Sequence, residues 1–186
     1  MNKSNVFSRE IGLIKDENLR KFAEYYFEEW TPDYFFEIGA SSSGKYHPAF
    51  SQGTGGLVRH TKAVVMFAEE LLRMSSYAYM PERYKDYVIM ACLFHDTAKY
   101  GIGEYDKTQY KEHGENAGKL VDNAWYEMFR ENASELLVNA IVSHMGQWGE
   151  VKPFTNIDRC VHMADYMASR SFIDIPALNN MQKENE

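Results

Sequence analysis

Six side chains of the kinds that hold metal ions occur along this sequence in the order His60, His95-Asp96, His113, His144 and Asp165. The gaps between them are 35, 17, 31 and 21 residues. Only His95-Asp96 is a local pair, so the set can meet only where side chains of facing helices converge inside a bundle. Four histidines and two aspartates exceed what one ion usually takes, and Asp96 can bridge two ions through its two oxygens. The allocation that follows puts His60, His95, Asp96 and Asp165 on one ion and Asp96, His113 and His144 on a second. Two ions about 3.5–4 Å apart can clamp a phosphoryl group and activate a water between them for in-line attack. Mixed imidazole and carboxylate donors with open positions suit one or two divalent ions such as Mn, Fe, Ni or Mg better than a closed tetrahedral Zn site.

The elements that must position these groups follow from apolar spacing. Val88 to Phe94 is an unbroken apolar run that ends directly in His95-Asp96. A helix over 81–98 that is apolar nearly all round is a buried one. A charge placed at the end of such a segment is strongly disfavoured unless it is paired, and the other four residues are the expected partners. A helix over 57–74 carries Leu57, His60, Val64, Phe67, Ala68 and Leu71 on one face. Helices over 115–129, from 134 to about 144, and over about 156–170 bring in the neighbourhoods of His113, His144 and Asp165. Upstream, 16–30 reads as a helix with Leu19, Phe22, Ala23, Tyr26, Phe27 and Trp30 at three- and four-residue spacing. Thr31-Pro32 ends it, because proline cannot continue a helix, and 33–38 reads as a further short helix. Val6, Phe7, Ile11, Leu13 and Ile14 are expected to cover part of the core. The expected fold is all-α, a single-domain helical bundle with the metal site at its centre. An N-terminal helical segment, 1–38, packs on the main domain, 39–178, and 179–186 is a polar tail that frays.

Length and composition agree with one soluble domain: 186 residues, 45% hydrophobic and 25% charged. The net charge of −7 argues against broad binding of long nucleic acid, which rests on many Lys and Arg contacts to phosphate. It leaves room for a phosphorylated ligand where bound cations supply positive charge locally. Cys92 and Cys160 fall inside apolar helical patterns and read as buried free thiols. The N-terminus leads into no apolar signal segment and no stretch reaches the length of a membrane span, so a cytoplasmic protein is expected.

The order His…His-Asp…His…His…Asp, centred on Phe94-His-Asp-Thr-Ala-Lys99, resembles the HD superfamily of metal-dependent phosphohydrolases over residues 45–170. The segment from Lys45-Tyr-His-Pro-Ala-Phe to Gly-Gly-Leu-Val-Arg-His60-Thr is similar to the opening of the HD domain in 3′→5′ exoribonucleases of Gram-positive type. The oligonucleotide-binding barrel those enzymes carry in front of the HD domain is not expected within these 186 residues. The resemblance implies hydrolysis of a phosphoester and places Lys99 where the family commonly carries a lysine that contacts substrate phosphate. Asp96 and Lys99 are the expected catalytic pair. Lys45, His47, Arg59 and Lys99 are the expected substrate-binding groups. The substrate class is a nucleotide, a cyclic nucleotide, a short oligonucleotide or another phosphorylated small molecule. Two other readings keep the same site: a metal-containing regulatory module that binds a nucleotide without turnover, and a di-iron oxygenase.

Three neighbouring signals read differently. Gly39 to Lys45 fits the glycine and lysine spacing of a phosphate-binding P-loop, but Tyr46 stands where Ser or Thr would hold Mg²⁺. The Gly- and Ser-rich stretch 39–56 is long for a connection in a compact domain, and such loops are often functional. His162 follows Asp158 by four residues and reads as half of a surface pair.

Overall fold

The computed structural model describes residues 2–41 and 47–184. All regular structure among them is helical. The long connections in the sequence carry only short 3₁₀ turns, such as Asp33–Phe36, Ala49–Ser51 and Lys107–Glu112.

The N-terminal part builds an aromatic layer. Helix α1 (Ser8–Ile11) is short, and helix α2 (Glu17–Tyr25) starts at Asp16, whose carboxylate accepts from the backbone N–H of Asn18 and Leu19. This satisfies two of the orphan donors at a helix start. The chain then widens into one π-helical stretch, Tyr26–Trp30, and stops before Pro32. Phe22, Tyr26 and Phe27 are buried and their rings lie 6.1, 4.4 and 5.6 Å from the ring of Phe94. Phe7 stacks on Phe27 from outside at 4.6 Å. The Tyr26 hydroxyl reaches Thr97 Oγ1 at 2.7 Å, which ties this layer to the turn that carries His95 and Asp96.

Helix α3 (Gly56–Leu71) begins at a tight crossing. A Cβ on Gly56 would sit 2.3 Å from the carbonyl oxygen of Ser51, so only glycine lets the two backbones approach. Helix α4 (Glu82–Phe94) is the centre of the bundle, and every residue from Val88 to Phe94 is buried. Helices α5 (His113–Phe129) and α6 (Glu135–Val142) pack against each other, and α7 (Asn156–Ala168) closes the ring. Helix α4 touches α3, α6 and α7, and α3 also packs along α7. The last of these is fixed at its start by a reciprocal cap between Thr155 and Asp158.

Two expectations change. The central helix ends at Phe94 rather than running to 98, because after His95 the backbone bonds shorten to a succession of tight turns: Thr97 N–H to Phe94 O, Lys99 N–H to Asp96 O and Gly101 N–H to Ala98 O. His95 and Asp96 therefore stand at the mouth of the helix instead of along its side. The polar tail is helical up to Glu184, in α8 (Pro176–Glu184), because Leu178 is buried and Met181, three residues on, packs beside it. Among the described residues no helix is long and apolar enough to cross a membrane. Cys92 and Cys160 are buried free thiols.

Candidate metal centre

His60 lies one turn into α3, His95-Asp96 cap α4, His113 opens α5, His144 follows α6 and Asp165 sits on α7. All six converge. Asp96 is at the middle with its two oxygens facing opposite ways. Its Oδ2 is 4.0 Å from His60 Nε2 and 3.6 Å from His95 Nε2. Its Oδ1 is 3.2 Å from His113 Nε2 and 3.8 Å from His144 Nε2. Asp165 Oδ1 joins the first side, 3.1 Å from His60 Nε2 and 3.8 Å from His95 Nε2. Three groupings bring candidate ligand atoms within 4.8 Å of one another: His60, His95 and Asp96; His95, His144 and Asp165; and Asp96, His113 and His144.

The imidazoles are set up by the backbone. His95, His113 and His144 each place Nδ1 against the carbonyl oxygen three residues earlier, of Cys92, Tyr110 and Ile141, at 2.8, 2.6 and 2.6 Å. A carbonyl can only accept, so Nδ1 carries the proton and, in a neutral ring, Nε2 presents a bare lone pair. A hydrogen bond of this kind at the far nitrogen is what fixes tautomer and orientation in metal-ligating histidines. Burial and the neighbouring His113 and His95 push His144 down to about 3, and burial also lowers His95. Both rings are therefore neutral near pH 7.

The result is an arrangement that cannot satisfy itself. His113 Nε2 and His144 Nε2 face each other at 3.0 Å, and with both rings neutral and Nδ1 protonated each turns a lone pair on the other. His95 Nε2 and Asp96 Oδ1 are buried without a hydrogen-bond partner among the described residues. Buried polar atoms are ordinarily paired, and each exception asks for an explanation such as an ion. A divalent cation is the group that accepts converging lone pairs and carboxylate charge together, so the donor set fits one. Burial alone would raise the carboxyls of Asp96 and Asp165. The Lys99 ammonium and the contact with His113 outweigh it at Asp96; at Asp165 the hydrogen-bond contact with His60 does so, with the imidazoles of His95 and His144 beside it. Both carboxyls lie below the usual carboxylate range and are ionised.

Lys99 is buried and its ammonium lies 2.5 Å from Asp96 Oδ2, three residues back. Burial would lower the Lys99 ammonium, but Asp96 raises it, so the charge is retained. Beside the cluster a cavity of about 540 Å³ is open to solvent and bordered by His47, Lys99 and Tyr110. Met145, Trp148, His162, Tyr166 and Arg170 also border it. That volume suits a ligand of nucleotide size.

The expected substrate-binding residues separate. His47 is on the cavity wall, its ring 5.5 Å from that of His60, and burial lowers it to about 4. Lys99 lines the cavity as expected. Arg59 does not: it is buried on another face of α3, and its guanidinium donates to the carbonyls of Phe50, Gln52 and Thr54. A cation with three carbonyl acceptors holds the loop before α3 in place and is turned away from the ligand space. Lys45 lies outside the described residues. His162 also departs from expectation. Asp158 is buried in the cap of α7, while His162 places Nδ1 2.7 Å from the His144 carbonyl oxygen and borders the cavity.

Sequence reasoning passed over Trp148, Tyr166 and Arg170. Trp148 stands in a Gly-Gln-Trp-Gly turn, where a large aromatic has no periodic core to join. Tyr166 and Arg170 fall one and five residues after Asp165. Those were the available signals.

The geometry agrees with the comparison to known families. The family model for the HD domain matches residues 57–170, and the chain belongs to the HD domain family. No curated protein and no solved structure matches the chain.

Proposed function

We propose that this protein is a metal-dependent phosphohydrolase acting in the cytoplasm on a phosphoester of a nucleotide, cyclic nucleotide or short oligonucleotide. The observation that carries the reading is the two-faced placement of Asp96, one oxygen toward His60 and His95 and the other toward His113 and His144. In this reading His60, His95, Asp96 and Asp165 hold one divalent ion, and Asp96, His113 and His144 hold a second. Bound ions of this kind supply Lewis-acid stabilisation of the phosphoryl oxygens and a water acidic enough to attack at neutral pH.

The chain's own residues do the rest. The carbonyls of Cys92, Tyr110 and Ile141 keep three rings in the tautomer that offers Nε2. Lys99 remains an ammonium at the cavity edge and offsets the charge of an entering phosphate, with Tyr110 at 5.8 Å supporting it through its ring face. His47, neutral near pH 7, gives the cavity wall a group that can donate to or accept from the substrate. The chain's acidic balance fits a small anionic ligand drawn to a local cationic site better than a long polymer. The stretch 45–60, similar to the opening of exoribonuclease HD domains, keeps the end of a short oligonucleotide among the substrates. The two buried free thiols fit a reducing compartment.

The test is hydrolysis of bis-p-nitrophenyl phosphate and a nucleotide panel with Mn²⁺, Ni²⁺, Fe²⁺ or Mg²⁺ added. EDTA treatment and the Asp96→Ala variant should each lower activity more than about 100-fold, since even the supporting partners of metal ligands typically cost 10–100-fold. Full activity after metal removal would sink the proposal.

A further inference from the structure

The cavity has a second wall that the phosphate chemistry does not use. Helix α7 carries His162 and Tyr166 four residues apart, on one stripe of its surface, and Arg170 follows just past its end. Trp148 lies parallel to Tyr166, with ring centroids 5.8 Å apart and planes within 9°. The Arg170 guanidinium covers the Tyr166 ring at 4.2 Å and is held there by a bond from Nε to the Tyr166 carbonyl. Trp148 is 55% exposed and Tyr166 37% exposed, although both border the cavity. The tryptophan of α5, Trp125, is buried, as one expects of an indole that serves packing.

The turn that carries Trp148 is built to hold it there. Gly146 has a φ of +57°, and a Cβ on it would sit 2.1 Å from the His162 ring, so no other residue fits. The Lys152 ammonium donates to the carbonyls of Gly146, Gln147 and Gly149, at 3.3, 3.3 and 2.5 Å. His162 adds its contact with the His144 carbonyl, which joins the turn directly to a residue of the metal centre. A glycine with a left-handed backbone, a lysine clamp and a histidine strut together fix one solvent-facing indole. A loop with only a connecting role has no use for that rigidity.

We propose that Trp148, Tyr166 and Arg170 form a stacking subsite for the planar base of a nucleotide whose phosphate lies at the His/Asp cluster. Flat aromatic rings with one open face and an adjacent guanidinium bind bases of any sequence through their π-faces. The subsite selects for a base-bearing phosphate over a plain sugar phosphate, and it does so with little base discrimination. The proposal rests on the reading of the cluster as a phosphate-binding metal centre.

The experiment uses the full chain with Mn²⁺ and the 5′-monophosphate of 2-aminopurine riboside, whose fluorescence is quenched on stacking. Ribose 5-phosphate serves as the base-free competitor, and hydrolysis is assayed separately. Quenching should saturate with the unsubstituted protein. The Kd should rise about 10- to 100-fold in Trp148→Ala, the range that loss of one base–aromatic stack gives, and by less in Trp148→Phe. The melting temperature and the affinity for ribose 5-phosphate should stay unchanged, because Trp148 is exposed and its ring packs on Tyr166 and His162, neither of them one of the six His and Asp residues. An unchanged Kd in Trp148→Ala overturns the subsite, as does an equal loss of affinity for ribose 5-phosphate or no quenching at all. Quenching without hydrolysis under any metal supports the subsite and defeats the phosphohydrolase reading. Equal kcat/KM for base-bearing and base-free phosphates does the reverse.

Discussion

Helix α3 carries two buried polar side chains two residues apart, and the bundle treats them in opposite ways. Lys62 faces the N-terminal segment, where its ammonium meets Glu10 at 2.9 Å and the Val6 carbonyl at 2.5 Å, above the ring of Phe7. His60 points about 200° away round the helix, into the cluster around Asp96, and its Nδ1 has no hydrogen-bond partner among the described residues. One side of the helix buries a charge and completes its bonding from within the chain. The other gathers lone pairs and carboxylates that leave one another unsatisfied. The first pattern is how a fold carries a structural ion pair. The second is a fold holding groups for something that arrives from outside. Asp86 belongs with Lys62: it is buried, and its two oxygens accept the backbone N–H groups of Lys15 and Asp16 at the start of a neighbouring segment.

The contrast breaks most visibly at Glu10. Glu10→Ala leaves the Lys62 ammonium buried without its counterion and should lower the unfolding free energy by about 3–5 kcal/mol, measured by urea titration. The metal content of the folded variant should match that of the unsubstituted protein. Loss of bound metal in step with stability would mean that the two sides of α3 are not separate after all.

A divalent ion should act on the other side alone. At a hundredfold excess over its Kd, Mn²⁺ should stabilise the protein by about 2.7 kcal/mol, reversed by EDTA, while Asp96→Ala shows no gain. Equal stabilisation of the variant in thermal melts would place the ion elsewhere.

The smallest effect is a pH slope of the metal-free protein. His144 is held neutral in the fold with its pKa near 3, by burial and the adjacent imidazoles, and His47 near 4, by burial. In the unfolded chain both titrate around 6.5. Below that value the unfolded state binds more protons than the native one, so stability falls as pH falls through the window from about 6.5 toward 3–4. Each ring should contribute about 1 kcal/mol between pH 6.5 and 5.5. The slope measured by urea titration should be shallower in His144→Gln. The same slope in both proteins would show that His144 does not enter the linkage.

Much of this was legible from residue order. The apolar run 88–94 identified the central helix because a segment apolar all round has no stable place except inside. His60, His95-Asp96, His144 and Asp165 were picked out because each interrupted or ended an apolar pattern, and His113 because it stood at the start of a further helix. The readings that failed involve the reach of long or rotatable side chains. Arg59 adjoins His60 in sequence, yet successive residues on a helix diverge by about 100°, and its guanidinium found the loop carbonyls instead. His162 had an acidic residue at helical spacing, but Asp158 was already engaged in its own helix cap. The α8 helix was missed because its apolar content is small and acquires meaning only against a surface for Leu178 to cover.

The sequence by itself determined the helices, their buried faces and the identity of the polar residues those faces carry, because periodicity and the cost of burying charge are local properties of the chain. Only the tertiary structure decided that Asp96 turns its two oxygens toward different pairs of histidines. It alone set three Nδ1 atoms on i−3 carbonyls with their partner atoms converging, and brought Trp148 and Tyr166 to the same cavity from separate elements. Those relations depend on how helices cross and turns close, and residues 17 to 35 positions apart carry no record of the angle at which they meet.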